Sequence, residues 1–302
     1  MSISRYDFEL LTLIERKHSL DYSIRSISDE LCISGETLKS RITELQAEGL
    51  IDVKDDQLLV TQAGLNALEP YRVKRAIILA AGFGSRMMPA TEDRPKPMVT
   101  VNGVRIIDTL LDAMVAVGIT DITIVGGYKK EKLRELLEKY PFINFIDNPE
   151  YDVTNNISSA VLAVDKLQGG CYFCEADLFI SNPDVIRKYQ YQSNILGSYS
   201  METDDWSFKM VDGYLSDYQK GNTYCYNYYG ISYWTPEDCE KLKEDFIYVY
   251  AQDDGKDYFW EFIPFVLKNE RYKVEIRPCR KQDIMEIDNY RELADLDISY
   301  TL

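Results

Sequence analysis

The sequence predicts an α/β protein with a mainly parallel sheet, preceded by a small separate helical domain. Short apolar runs typical of strands buried on both faces recur from residue 76 onward, with helical segments between them. Residues 1–70 show a different pattern, in which amphipathic helices precede one short hairpin. The 302 residues suffice for two domains. We therefore expect domains at 1–70 and 71–302.

Apolar spacing and capping residues predict the helices of the first domain. An apolar face at helical spacing covers Phe8–Ile14, and a second helix fits Ser26–Leu31. Ser34 offers an N-cap for a third helix that continues to Gly49. The remaining predicted elements are two strands and a last helix, at Leu50–Val53, at Leu58–Val60 and from Thr61.

This order of helices and hairpin resembles the winged-helix domains. The resemblance implies that the third helix is the one that would enter a DNA major groove. Charge disfavours that use, because residues 1–70 contain seven Lys and Arg against thirteen Asp and Glu, and DNA affinity depends on cations that neutralise phosphates. A packing, dimerising or regulatory role is the alternative for this domain.

Four apolar runs predict the strands of the second domain. These runs are Ala76–Ala81, Ile122–Val125, Phe142–Ile146 and Cys171–Cys174. Helical segments around Ile107–Val117 and Lys130–Tyr140 lie between them. Ligands of parallel α/β sheets bind at the carboxyl ends of the strands. We therefore expect the functional residues directly after the apolar runs.

Composition excludes several classes of function. The formal net charge of −16 disfavours nucleic acid or an anionic membrane as the main partner. The only histidine, His18, lies in the first domain, so the second has no imidazole base or histidine metal ligand. Six scattered cysteines and an N-terminus unlike a signal peptide predict reduced thiols in a cytoplasmic protein, with Cys171 and Cys174 packed in the core. No apolar run reaches the ~20 residues of a membrane helix.

A glycine-rich loop follows the first apolar run. Gly82 and Gly84 would let the backbone amides approach a polyphosphate. Arg86 adds a fork of donors, and Lys96, between two prolines, adds a compact positive charge. The loop lacks the Lys-Ser/Thr pair of a P-loop and the third glycine of the dinucleotide fingerprint. It therefore predicts an anion site of another kind.

The segment Leu79–Pro97 resembles the signature of the nucleotidyltransferases, which join an NTP to a phosphorylated metabolite and release pyrophosphate. The resemblance implies a Rossmann-like domain with a mixed, mainly parallel sheet. It also implies that the glycine loop wraps the triphosphate, while Arg86 and Lys96 neutralise charge around the α-phosphate. The loop residues implied to bind nucleotide are Ala80, Ala81, Gly82, Gly84, Ser85 and Arg86.

Two aspartates follow strand-like runs far apart in the chain. Asp177 comes after the Cys171 run, and Asp288 ends Met285–Asp288. Magnesium prefers oxygen ligands and takes one or two carboxylates together with phosphate oxygens. Both aspartates also match the metal positions of the nucleotidyltransferases. We therefore expect Mg²⁺ at Asp177 and Asp288, where it would stabilise the leaving pyrophosphate.

Later motifs narrow the resemblance. In chain order they are Asn148–Tyr151, Thr154–Ser159, Trp206, Gly230–Trp234, Asp257–Glu261 and Glu286–Asp288. In this order they resemble the bacterial CTP:phosphocholine cytidylyltransferases over about residues 74–297, so the first domain is an addition. The resemblance implies CTP and phosphocholine as substrates and CDP-choline as product. Where that family often has Asp-Ala-Asp, this chain has Glu175-Ala176-Asp177.

The same resemblance implies further binding residues. Asn155, Asn156 and Ser159 would shape the nucleotide site, with Tyr128 as a base contact, although a helix cap or turn is the alternative for the Asn pair. A quaternary ammonium is best held by aromatic faces with a carboxylate nearby. The implied choline-binding residues are Trp206, Tyr233, Trp260 and Glu261, with Tyr229 as an alternative to Tyr233 and Asp257 as an alternative to Glu261.

We expect an in-line attack of the acceptor phosphate on the α-phosphorus of CTP, with Lys96, Arg86, Asp177 and Asp288 as the catalytic set. A cytidylyltransferase for 2-aminoethylphosphonate or phosphoethanolamine is the nearest alternative, since a primary ammonium would favour more carboxylates and fewer rings. A sugar-1-phosphate nucleotidyltransferase fits the aromatic positions less well. A transcription regulator that senses a metabolite is the alternative from another class. The sequence leaves the oligomeric state open.

Overall fold

The computed structural model describes residues 3–17, 24–54 and 57–301, and His18 lies outside them. Contacts within the chain define two compact units. The first comprises Met1–Arg72 with Tyr189–Tyr191, and the second comprises Val73–Lys188 with Gln192–Leu302. The segment Tyr189–Tyr191 belongs to the first unit because Tyr191 stacks on Tyr71, with ring centroids 5.2 Å apart. Sequence analysis did not assign this distant segment to the first domain.

The predicted elements of the first unit are confirmed. Its helices and strands are α1 Arg5–Arg16, α2 Ile24–Leu31, α3 Gly35–Ala47, β1 Ile51–Lys54, β2 Gln57–Val60 and α4 Gln62–Leu68. Ser34 caps α3 by accepting from the Thr37 amide, and Thr61 caps α4 by accepting from the Gly64 amide. β1 and β2 form an antiparallel hairpin. The assignment of this unit as a winged-helix domain stays a prediction.

A mixed sheet of seven strands forms the centre of the second unit, within the residues described. The strands of this unit are β3 Arg75–Ala80, β4 Thr100–Val101, β5 Val104–Arg105, β6 Asp121–Gly126, β7 Asn144–Asp147, β8 Cys171–Glu175, β9 Leu178–Ile180, β10 Asn194–Val211, β11 Tyr214–Trp234, β12 Glu275–Pro278 and β13 Ile284–Glu286. The order in the large sheet is β10-β12-β11-β8-β3-β6-β7. β3 pairs in parallel with β6 and β8, whereas β11 pairs antiparallel with β8. The expected mainly parallel α/β arrangement is confirmed.

Helices cover both faces of this sheet. They are α5 Ile106–Ala116, α6 Lys130–Leu133, α7 Ile157–Leu162 and α8 Pro236–Tyr250. The last helix, α9 Tyr290–Leu296, packs in a separate cluster with Ile287. Alternate residues of a strand point to opposite faces. Ile78 of β3 therefore packs in one core with Leu111 of α5, and Ile77 packs in the other with Phe246 of α8. The four apolar runs predicted from sequence lie in or overlap β3, β6, β7 and β8. β3, β6 and β8 are buried as expected, whereas β7 is the edge strand and none of its residues is buried, so burial on both faces is wrong for that run.

Two short strands bring the ends of distant segments together. β9 and β13 pair antiparallel, with Leu178 opposite Glu286. Asp177 directly precedes Leu178, and Asp288 follows Glu286 by two residues. The pairing therefore places both predicted metal ligands beside the carboxyl end of β8, where sheet topology predicts a ligand site.

The cysteines are all free thiols. Cys171 and Cys174 lie in the cores on opposite faces of the sheet, and burial raises the pKa of both thiols above the usual range. The prediction that this pair packs in the interior is confirmed. Among the residues described, no helix has the length and apolar character needed to cross a membrane.

Candidate active site

The glycine-rich loop is built around a close approach to Lys96. Gly84 has φ +61°, and a Cβ there would lie 2.9 Å from the Lys96 Cβ. The Gly84 carbonyl accepts from the Thr91 hydroxyl at 2.9 Å, which ties the loop to the following turn. The amides of Gly82, Phe83 and Gly84 donate to no group among the described residues. They are therefore available to an anionic ligand.

Lys96 joins the two predicted metal ligands. Its Nζ donates to Asp177 Oδ2 at 2.9 Å and to Asp288 Oδ1 at 3.0 Å. Burial alone would lower the pKa of Lys96, but the charges of Asp177 and Asp288 outweigh it and raise that pKa. Arg86 pairs with Asp288 Oδ2 at 3.1 Å. Partial burial would raise the pKa of Asp288, and the charges of Lys96 and Arg86 lower it instead.

Glu286 adds a third carboxylate to this group. One carboxylate oxygen each from Asp177, Glu286 and Asp288 lies within 4.8 Å of the other two. Asp177 Oδ1 is buried and forms no hydrogen bond with the described residues. Burial raises the pKa of Glu286 to about 8, with the charges of Asp177 and Asp288 adding to the effect. An oxygen-only donor set with an unpartnered buried oxygen fits a hard cation such as Mg²⁺.

A cavity of about 470 Å³ opens over this group. Its volume suits a small organic ligand. The sequence-predicted residues that line it are Ala80, Ala81, Gly82, Gly84, Ser85, Arg86, Lys96, Asn155, Asn156, Ser159, Asp177, Trp206, Glu261 and Asp288. The structure therefore brings the glycine-rich loop, the cations Arg86 and Lys96, the Asn155–Asn156 pair and the predicted aromatic residue Trp206 to one cavity.

Three more carboxylates line the cavity beyond the group around Lys96. They belong to Glu175, Asp205 and Glu261, and none forms an ion pair with a cation of the described chain. Burial raises the pKa of Glu261 to about 7. Burial also raises the pKa of Glu175 well above its usual value, with Glu261 and Asp177 adding to the effect. A positively charged ligand here would lower these pKa values and pair with carboxylates that have no cation partner in the described chain.

The Asn pair fixes the loop that leads to Glu261. Asn155 Nδ2 donates to the Asp257 carbonyl at 3.1 Å. Asn156 Oδ1 accepts from the Trp260 amide at 2.8 Å, and its Nδ2 lies 3.5 Å from Glu261 Oε2. The side chains hold the 257–261 loop rather than cap α7, so the cap alternative is wrong for the side chain of Asn156.

Three predicted aromatic residues do not reach the cavity. Tyr229 and Tyr233 lie in the core shared with α5, and Trp260 lies in the core on the opposite face of the sheet. Tyr229 shares a hydrogen bond with the Ser198 hydroxyl at 2.8 Å. The prediction that these rings form a cage with Trp206 is therefore wrong, because the sheet separates Tyr233 from Trp260. Asp257 also does not line the cavity.

Tyr128 likewise serves the loop rather than the cavity. Its hydroxyl donates to the Thr91 carbonyl at 3.2 Å, and its ring packs against Phe83 at 5.3 Å between centroids. The prediction of a direct base contact is not supported by this position. Trp206 does line the cavity, and its ring stacks on Tyr218 with centroids 5.1 Å apart.

Sequence analysis missed several lining residues. The most consequential are Glu286 and Asp205. Glu286 lies two residues before Asp288, and residues at that spacing share one side of a strand, so this signal was present. Asp205 lies at a register shift of β10 between Thr203 and Trp206, which local sequence does not indicate. Glu175 was noted only as a departure from the family pattern.

The contrast between the two tryptophans gives a testable expectation. Trp260 is fully buried and packs against Phe173 at 4.5 Å. Trp260→Ala should lower the free energy of unfolding by about 3–5 kcal/mol, measured by urea denaturation. Trp206→Ala, at a partly exposed ring, should cost less stability and instead raise the KM for the acceptor. Equal stability losses would contradict this assignment.

Comparison with known proteins gives the same class as the site. Residues 76–193 match the model of the MobA-like NTP transferase domain. The chain is 37% identical over 230 residues to 2-aminoethylphosphonate cytidylyltransferase of Lancefieldella rimae, covering 74% of this chain and 92% of the relative. It is 28% identical over 230 residues to choline-phosphate cytidylyltransferase of Streptococcus pneumoniae, covering 74% and 97%.

A solved structure supports the fold assignment. The CTP:phosphocholine cytidylyltransferase from Streptococcus pneumoniae superposes with a TM-score of 0.70 at 28% identity, covering 76% of this chain and all of that one. The fold and the site together define a nucleotidyltransferase. Within that class, the chain belongs to the cytidylyltransferase family.

Proposed function

We propose that this cytidylyltransferase joins CTP to 2-aminoethylphosphonate and releases pyrophosphate. The acidic lining of the cavity carries the proposal. Glu175, Asp205 and Glu261 face the cavity without a cation partner among the described residues. A primary ammonium offers three N–H donors and a positive charge, which match such carboxylates.

The burial of Tyr229, Tyr233 and Trp260 in the cores, away from the cavity, supports a primary over a quaternary ammonium. A trimethylammonium group donates no hydrogen bonds and depends on several rings around it. Of the four predicted cage residues, only Trp206 lines the cavity, and the other aromatic residues there are Phe83, Tyr151, Tyr228 and Phe259. The 37% identity to the 2-aminoethylphosphonate enzyme of Lancefieldella rimae agrees with this choice.

The proposed reaction is a direct in-line displacement. A phosphonate oxygen attacks the α-phosphorus of CTP, a new P–O bond forms, and the bond to the β-phosphate breaks with its electron pair leaving on pyrophosphate. The nucleophile is already an anion, so no general base is needed. Lys96 would contact the α-phosphate, while Arg86 and the amides of Gly82 and Gly84 would hold the leaving group. Positioning and charge neutralisation supply the catalysis.

Asp177, Glu286 and Asp288 would hold Mg²⁺, which neutralises phosphate charge when it is bound. In the structure, Lys96 lies between Asp177 and Asp288 at hydrogen-bond distance. The ammonium has three N–H donors, so one remains for an α-phosphate. A metal ion at Asp177 and Asp288 would compete with Lys96 for the carboxylate oxygens.

A series of acceptors tests the substrate. Pyrophosphate release would be measured with CTP, Mg²⁺ and each of 2-aminoethylphosphonate, phosphoethanolamine, its N-methyl and N,N-dimethyl forms, and phosphocholine. We expect kcat/KM to be highest for 2-aminoethylphosphonate and to fall with each added methyl group. A rise with methylation would overturn the primary-amine assignment and favour phosphocholine, for which Trp206 is the supporting observation. Replacing CTP with the other NTPs serves as the control for the nucleotide.

The distribution of charged residues in the first unit disfavours a role for this protein as a DNA-binding regulator. The two cations of α3 are Lys39 and Arg41, and Arg41 is already paired with Asp7 and Glu44. DNA affinity needs several free cations on the reading surface. The role of this unit stays a prediction, and salt-dependent retention on duplex DNA would test it.

A further inference from the structure

The Glu175 side chain packs against Gly230, and any other residue at position 230 would displace that side chain. Gly230 of β11 has φ +60°, and a Cβ there would lie 2.8 Å from Glu175 Oε2 and 2.9 Å from its Cδ and Cγ. Such distances are shorter than van der Waals contact, so any side chain at residue 230 would displace the carboxylate. Gly230 therefore provides the surface on which the Glu175 side chain rests.

The position of Gly230 follows from strand pairing. Ile231 lies opposite Cys174 where β11 pairs antiparallel with β8. Gly230 precedes Ile231 and therefore lies beside Glu175, the last residue of β8. Positive φ turns the backbone at the point where the ladder ends, and glycine adopts it without steric cost. Packing against the Glu175 side chain is a second and independent reason for glycine here.

The other face of the carboxylate is also bounded. Tyr228 Oη lies 3.5 Å from Glu175 Oε1, and the Tyr228 side chain is buried. Glu175 forms no ion pair within the described chain, and it lines the cavity with Asp205 and Glu261. The carboxylate is thus held between Gly230 and Tyr228 while it faces the acceptor space.

We propose that Glu175 is a specificity-determining residue that binds the acceptor ammonium, and that Gly230 is the positioning residue that holds its carboxylate in place. This inference rests on the proposed function, since it needs an acceptor with an ammonium group. In 2-aminoethylphosphonate one atom fewer separates phosphorus from nitrogen than in phosphoethanolamine or phosphocholine. Its ammonium therefore lies nearer the α-phosphate site, and Glu175 is only two residues from Asp177.

A double-mutant cycle tests the pair. Gly230→Ala should raise the KM for 2-aminoethylphosphonate by about 10- to 100-fold, the effect of losing a charge-assisted hydrogen bond, with the KM for CTP unchanged. Glu175→Ala should have a similar effect. In the double variant the two effects should not add, because Gly230 acts only through Glu175. Additive effects would overturn the positioning role.

Gly221→Ala is the matched control for backbone strain. Gly221 lies in the same strand with φ +75°, but a Cβ there would meet only the Thr203 carbonyl at 3.9 Å. It should lower thermal stability through backbone strain of the same kind as in Gly230→Ala, while leaving the acceptor KM unchanged. An equal rise in KM for Gly221→Ala would overturn the inference, because strain alone would then explain both variants.

The acceptor series separates this inference from the function on which it depends. If wild-type protein prefers 2-aminoethylphosphonate and Glu175→Gln leaves its KM unchanged, the role of Glu175 is wrong and the proposed function stands. If wild-type protein prefers phosphocholine, the proposed function fails before any variant is made. If Glu175→Gln weakens the primary amine selectively, relative to phosphocholine, the inference is supported.

Discussion

Replacement of Lys96 by methionine should lower kcat by at least about 10³-fold, since one preorganised donor to a developing anion is worth about 10²–10³ and Lys96 would contact both the α-phosphate and the incoming oxygen. Lys96 is 8% exposed and is the only cation bonded to both Asp177 and Asp288 in the described chain. Methionine keeps the length and apolar stem of lysine while removing its charge. Single-turnover formation of the anhydride of CMP with 2-aminoethylphosphonate would measure the loss.

The same variant should change metal binding in the opposite direction. Because the Lys96 ammonium lies between Asp177 and Asp288, it competes with a divalent cation for their oxygens. In nucleotide-free protein, Lys96→Met should therefore bind Mn²⁺ more tightly than wild type, by about 10-fold or more, as expected for one removed charge within 4 Å. Calorimetric or EPR titration with Mn²⁺ would give the affinity.

Lys130→Met is the control for both measurements. Lys130 is a partly exposed lysine that pairs with Asp147 and does not line the cavity, so its replacement should leave kcat and Mn²⁺ affinity unchanged. Wild-type turnover in Lys96→Met would refute the catalytic role. Unchanged Mn²⁺ affinity, with turnover lost, would refute the competition between Lys96 and metal.

Local spacing explains which parts of this site could be predicted. Gly84, Arg86 and Lys96 lie within one short segment after a buried strand, and their chemistry is visible in the sequence itself. Apolar runs mark the ends of β8 and β13 in the sequence, so the positions of Asp177 and Asp288 just beyond those strands could be predicted. The aromatic residues that line the cavity could not be predicted in this way, because aromatic side chains pack in cores and line cavities equally well.

Side-chain direction in the long hairpin could not be read from sequence. Tyr233 faces the core because it pairs with Tyr172, a register fixed by the whole of β11. Trp206 faces the cavity because register shifts between Thr203 and Trp206 reorient β10. A shift of one residue reverses the face of every side chain. Predicting which residues of this hairpin face the cavity requires the register of two strands of 18 and 21 residues.

Asp288→Asn should be the second most damaging substitution. The Asp288 carboxylate accepts from Lys96 and Arg86 through different oxygens and belongs to the group with Asp177 and Glu286. Asparagine keeps the shape but removes the negative charge, so Arg86 loses its carboxylate partner, Lys96 keeps only Asp177, and the metal ion loses a ligand. We expect kcat to fall about 10²- to 10³-fold. Pyrophosphate release at saturating CTP would measure it.

Metal affinity distinguishes the two roles of Asp288. If it is a metal ligand, Asp288→Asn should weaken Mn²⁺ binding in nucleotide-free protein, whereas Lys96→Met should strengthen it, although both abolish turnover. Asp295→Asn, at an exposed carboxylate of α9, should change neither quantity. If Asp288→Asn loses activity with unchanged Mn²⁺ affinity, the residue acts only by holding Lys96 and Arg86. Opposite shifts in the two variants would instead mean that cation exchange at these carboxylates prepares the site for CTP.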